Sequence, residues 1–128
     1  MAKLFEAAGE AGFAAEYRAD AARIRAALTE TFLHPSGDGD EAWLHSATGM
    51  GNQPDVWGSA FAVAIGALDE PAASRVARAL VRAYKSQTAV RQGWVRHLPA
   101  TDKKAGGFWE VCVAKPGEYQ NGGYWSTP

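Results

Sequence analysis

The residues best suited to chemistry gather at the C-terminal end, where Glu118 to Pro128 reads EYQNGGYWSTP and sets one carboxylate, two amides, two glycines and three aromatics side by side. Pyranose rings present apolar C–H faces that aromatic rings cover, and their hydroxyls, once buried, need fixed amide or carboxylate partners. This composition fits a sugar-binding cleft. Gly122 and Gly123 would let backbone amides approach a ligand, while Gln120 and Asn121 carry side-chain amides able to fork onto adjacent hydroxyls. Asn121-Gly122 is also the dipeptide that favours a tight hairpin turn, so a turn flanked by core aromatics is the competing reading. A plain turn, however, does not call for Gln120 and a second glycine.

Glycoside hydrolysis generally uses two carboxyl groups on opposite sides of the bond being cut. Glu110 and Glu118, with Asp55 at a helix start, are the candidates. One of a catalytic pair must be held protonated by a dry or electronegative setting, and Trp109 and Tyr119 are placed to supply dryness. Surface exposure or helix capping is the ordinary role of such acids, and Asp55 sits where a helix dipole favours a carboxylate. His34, His45 and His97 are far apart in sequence and fall in no metal-binding spacing, so metal binding is not expected. His97, beside Arg96 and after Trp94, is either a ligand contact or a satisfied loop histidine. Ser59 in WGSAF lacks the Gly-x-Ser-x-Gly elbow of a serine nucleophile, and Gly37-Asp38-Gly39 is too acidic to cradle phosphate.

With 128 residues, 47% hydrophobic and 21% charged, the chain has the composition of one globular domain over residues 1–128. Thirteen basic and fourteen acidic residues leave a formal charge of -1, without the cationic surface that nucleic acid demands. The longest nearly unbroken apolar run, Val56 to Leu68, falls short of the roughly 20 residues that span a bilayer. Neither nucleic acid nor membrane is an expected partner. Glu6 and Glu10 interrupt any secretory leader near the start, which favours a cytoplasmic location. Cys112 is the single cysteine, which excludes an intrachain disulfide and fits a buried, inert thiol.

These residues need a scaffold, and the periodicity predicts helices. Ala2 to Ala8 and the stripe Phe13, Tyr17, Ala21, Ile24, Leu28 and Phe32 describe one helical hairpin over residues 1–33, with Gly9 and Gly12 bracketing its turn. After the loop SGDGDE, a second hairpin spans 54–86. Its first helix starts at Pro54 and carries the stripe Trp57, Phe61, Ala64, Ile65 and Leu68, amid small residues that permit close helix contact. Asp69 caps and Pro71 starts its second helix, which turns Val76, Leu80 and Tyr84 inward and leaves Arg75, Arg78, Arg82 and Lys85 in water. Residues 87–128 read as extended and loop structure, with Val90 to Leu98 extended, a turn at Lys103 to Gly107 and strand-like composition in FWEVCV, Phe108 to Val113. The fold class expected is mainly α: antiparallel helical hairpins with a short extended, β-hairpin-like C-terminal region.

Three segments resemble the six-hairpin glycosidases, enzymes built as an α/α toroid of inner and outer helices: AARIRAALTETFLHP, NQPDVWGSAFAVAIGAL and, above all, GEYQNGGYWSTP. The last is similar to the loop entering an inner-ring helix at the mouth of the substrate cup. The resemblance implies that Gln120 and Asn121 hold sugar hydroxyls, that Tyr119 and Trp125 line or support the cup with Gly122 and Gly123, and that Glu110 and Glu118 lie near it. Trp57 and His97 complete the expected substrate-binding set, and no cofactor is implied. The implied function is part of a glycoside hydrolase acting on a neutral oligosaccharide or glycoside by general acid/base catalysis. A non-catalytic helical-repeat module binding protein or glycan, and a sugar lyase or epimerase on the same toroid, are the alternatives. Four helices cannot close such a ring, so the chain is expected to be an incomplete toroid, catalytically incomplete by itself. An exposed apolar helix face would then favour self-association.

Overall fold

The computed structural model describes residues 1–100, 107–118 and 121–123, together with the backbone of 125–126. Helix α1 (Ala2–Ala7) turns at Gly9, whose φ of 79° is the left-handed conformation that glycine adopts freely, into α2 (Ala11–Phe32). Gly12 therefore lies inside α2 rather than in the turn. Phe5 pins the two helices together, its ring 5.3 Å from those of both Phe13 and Tyr17. The rest of the expected α2 stripe is not core: Phe13, Tyr17 and Ile24 stay exposed, and only Leu28 and Phe32 at the helix end pack on the central cluster.

Where the sequence read as a loop, the chain forms an antiparallel hairpin. Strand β1 (Leu33–Ser36) pairs with β2 (Glu41–Leu44) around a turn at 37–40 in which Gly37 and Gly39 take positive φ. Alternation divides β2 between two clusters. Ala42 and Leu44 join Ala62, Leu68, Ala72 and Val76, while Trp43 joins Val56, Ala79, Ala83 and Ala89. The hairpin thus serves as the core between helices α3 (Val56–Ala64) and α4 (Glu70–Lys85).

Both helices of this second hairpin begin with a carboxylate cap. Asp55 Oδ1 accepts from the Gly58 N–H at 2.9 Å, and Asp69 Oδ1 accepts from the Ala72 N–H at 2.9 Å. Pro54 stands just outside α3, in a β-bridge with His45. The inward face of α3 is Val56, Ser59 and Ala62, and buried Ser59 accepts the Leu44 N–H at 3.0 Å. Of the expected stripe only Leu68, just past the helix, is buried as core, while Trp57, Phe61 and Ile65 are turned outward, Phe61 65% and Ile65 58% exposed. In α4 the buried face is Ala72, Val76, Ala79 and Ala83, and Tyr84 points out. Small side chains win these interfaces because they bring helix and hairpin backbones close together.

The arginines of α4 do more than stay wet. Arg75 Nε donates to the Gly39 carbonyl at 3.1 Å, Arg78 Nε to the Asp40 carbonyl at 2.8 Å, and Arg82 pairs with Glu41 at 2.5 Å, so one side of the helix clamps the hairpin turn. Beyond α4, β3 (Val90–Arg91) and β4 (Trp94–Val95) form a second hairpin whose central residues Gln92 and Gly93 both have positive φ, as a type I′ turn requires. Strand β5 (Trp125–Ser126) pairs antiparallel with β4. The observed class is helices with small antiparallel strand hairpins. Among the described residues, no helix is long and apolar enough to cross a membrane.

Candidate functional site

Phe108 to Val113, read from composition as a strand, forms turns and bends instead. The cause lies in two buried amide side chains that take the backbone partners a neighbouring strand would have supplied. Gln53, fully buried, donates from Nε2 to the Phe108 carbonyl at 2.9 Å and accepts the Glu110 N–H on Oε1 at 2.8 Å. Asn121, 3% exposed, accepts the Trp109 N–H on Oδ1 at 2.7 Å and donates from Nδ2 to the Ala114 carbonyl at 2.8 Å. Gln53 was not singled out by sequence reasoning; its signal was a long amide directly ahead of the Pro54-Asp55 helix start.

This anchoring draws distant segments to the N-terminus of α3. The Val56 N–H donates to the His97 carbonyl at 2.8 Å. Val95 is in register with Trp125, which places the backbone of the C-terminal segment two residues from His97. Arg96, 6% exposed and also missed in the sequence, donates to the Gly107 carbonyl at 2.7 Å and lies 5.9 Å from the centre of the Phe108 ring. Gly122, with φ of 87°, fits against both: a Cβ there would stand 2.4 Å from Phe108 Cδ1 and 2.9 Å from Arg96 Nη2. The close approach that Gly122 permits is therefore to this chain's own side chains.

At the same end, Trp57 and His97 stack, their ring centroids 4.6 Å apart and 15° from parallel. Trp57 is 38% exposed, so the pair forms part of the surface. Burial pushes the His97 imidazole below its ordinary pKa, against a smaller upward pull from the Asp55 carboxylate. Asp55 thus serves the helix and the imidazole together.

The candidate carboxylates are separated by their surroundings. Glu110 Oε2 accepts the Gly51 N–H at 2.8 Å, and the Gln53 bridge holds Glu110 to the segment that runs into Asp55. Glu118 accepts the Lys115 N–H at 3.3 Å within its own turn. Both glutamates are exposed, and Trp109 beside Glu110 is half-buried. Tyr119 and Gln120 lie outside the described residues, as do the side chain of Trp125 and residues 103–106 of the expected turn. Gly123 is half-buried next to Gly122.

Two histidines that are distant in sequence do meet. His34 and His45 stack at 4.0 Å, and His45 Nδ1 lies 2.6 Å from Asn52 Oδ1. Among the described residues, no group of three or more His, Cys, Asp or Glu is placed to hold a metal ion.

No protein-family model, curated protein or solved structure significantly matches this chain.

Proposed function

We propose that this chain is a saccharide-binding part of a glycoside hydrolase of the six-hairpin type, acting on a neutral oligosaccharide or glycoside. The observation that carries the reading is the half-exposed Trp57–His97 stack at the N-terminus of α3, where the Val56 N–H donates to the His97 carbonyl and Asp55 caps the helix. A partly exposed indole backed by an imidazole offers the flat apolar face that a pyranose covers, with polar groups at its edge. In the acid/base scheme of such enzymes, one carboxyl group protonates the leaving oxygen and another activates water. Asp55 and Glu110 are the better-joined candidates here, because Gln53 ties their segments together, while Glu118 belongs to a separate turn. The hairpins α1–α2 and α3–α4 correspond to two of the hairpins of a toroid. Their exposed Ile24, Phe61 and Ile65 are the surfaces that neighbouring hairpins would cover.

The test is titration with neutral mono- and oligosaccharides, followed by isothermal calorimetry. Trp57→Ala should weaken binding by roughly tenfold, the equivalent of about 1.4 kcal/mol, with an unchanged circular dichroism spectrum. Equal binding by the parent and Trp57→Ala, or no binding across the panel, would sink the reading.

The same exposed faces favour a second reading, a helical module that associates with another copy of itself. Size-exclusion chromatography over a range of concentrations decides it: a concentration-dependent shift abolished by Phe61→Glu supports association, and a constant monomer removes it.

A further inference from the structure

A concavity lies beside the β1–β2 hairpin, with neither Trp57 nor His97 in its lining. It opens between the end of α4, the β1–β2 turn and the segments around Pro54 and Pro99, with a volume of about 660 Å³. That is within the range of roughly 300–1,000 Å³ typical of small-molecule sites. Among the described residues, neither Asp55, Trp57, His97 nor any of 107–118 and 121–123 lines it. Trp43, Ala79 and Ala83 form its apolar floor, and the alanines leave the space that larger side chains on α4 would fill. Its rim carries the hydroxyl-bearing residues Ser36, Ser86 and Thr88, with Arg82 beside them.

Charge narrows the ligand class. Arg82 is paired with Glu41 at 2.5 Å, so the rim carries little net charge. Ser86 is the C-cap of α4, and the negative end of that helix disfavours an anion. The guanidinium, whose Nη atoms stand 3.9 Å from where a Gly37 Cβ would be, disfavours a cation. Hydrogen bonding narrows it further. Ser86 Oγ donates to the Arg82 carbonyl at 2.8 Å and lies 3.1 Å from Thr88 Oγ1, so its proton is committed inside the protein while lone pairs remain on the oxygen. Such a rim offers hydroxyl acceptors beside guanidinium N–H donors, and its complement is a ligand whose hydroxyls both donate and accept around an apolar ring.

We infer that this cleft binds a neutral polyhydroxylated ring, a pyranose or a cyclitol, as a site separate from the Trp57 surface. The inference does not depend on hydrolase activity, because it rests on a different set of residues.

Amide-resolved NMR of the full chain tests it, with glucose and myo-inositol as neutral probes and inorganic phosphate as the anionic one. The neutral rings should shift the amides of Ser36, Gly37, Ser86 and Thr88 in a saturable way. Thr88→Val, which keeps the shape and removes the hydroxyl, should weaken this by roughly fivefold, as the loss of one hydrogen bond predicts. Ser86→Phe, at an exposed helix end, should block the mouth and abolish the shifts while the rest of the spectrum is preserved. Phosphate saturating these amides at lower concentration than either ring would overturn the proposal in favour of an anion site at Arg82. Shifts confined to Trp57 and His97 would overturn it while supporting the first site, and no shifts up to the solubility limit of the probes would overturn it outright.

Discussion

Trp57 lies flat against His97, with ring centroids 4.6 Å apart, and the imidazole so covered is held below its ordinary pKa of 6.5 chiefly by burial. An unfolded chain takes up the proton before the folded one does. Stability owed to the neutral ring is therefore complete above about pH 6.5 and declines as pH falls below it toward the lowered folded value. Urea midpoints measured across that window should fall with pH, and His97→Gln should flatten the dependence.

Asp55 opposes that shift while capping α3, and one substitution separates the two roles. Asn is about as good a cap as Asp but carries no charge. Asp55→Asn should lower the His97 titration midpoint further, as read from its imidazole proton shift, with little change in helix content. Asp55→Ala should in addition cost about 1 kcal/mol through loss of the cap. A midpoint that rises in Asp55→Asn would contradict the assigned electrostatics.

Gln53 holds a carbonyl and an N–H of a segment more than fifty positions away, and its side chain is fully buried. Gln53→Ala removes the partner that both groups use, at a cost of at least about 2 kcal/mol. Hydrogen exchange at the Glu110 amide should accelerate more than exchange within α4. Uniform acceleration across the protein would show that Gln53 acts on global stability alone.

Gly122 combines a φ of 87° with contact to Phe108. Gly122→Ala should destabilise by over about 2 kcal/mol, from backbone strain and overlap together. Pairing it with Phe108→Ala relieves the overlap, so the double variant should lose less than the two single changes summed.

Arg82 and Glu41 form an ion pair whose acid is only 15% exposed, unlike the open Arg23–Asp20 pair, whose side chains are 79% and 44% exposed. Arg82→Ala should cost about 2 kcal/mol because it leaves a mostly buried carboxylate behind, whereas Arg23→Ala should fall within roughly 0.5 kcal/mol of the parent. Thermal or urea unfolding of both variants measures the contrast.

Local signals in the sequence determined the positions of the helices. The Asp69-Pro71 start, the Gly9 turn and the apolar period mark them, because caps, φ preferences and helical spacing act between residues a few positions apart. In α4 the inward Val76 and Leu80 were also legible, but only the tertiary structure decided which side of α2 and α3 is buried. Helix α3 is apolar all round, so its spacing could not choose between Phe61 and Ala62, and the choice fell to the hairpin Leu33–Leu44, for which close packing requires small side chains. The C-terminal segment divides in the same way. Its residue types were legible, but the segment 108–113 became an irregular loop because Gln53 and Asn121 capture its backbone, and partners so far apart in sequence leave no periodic trace in it.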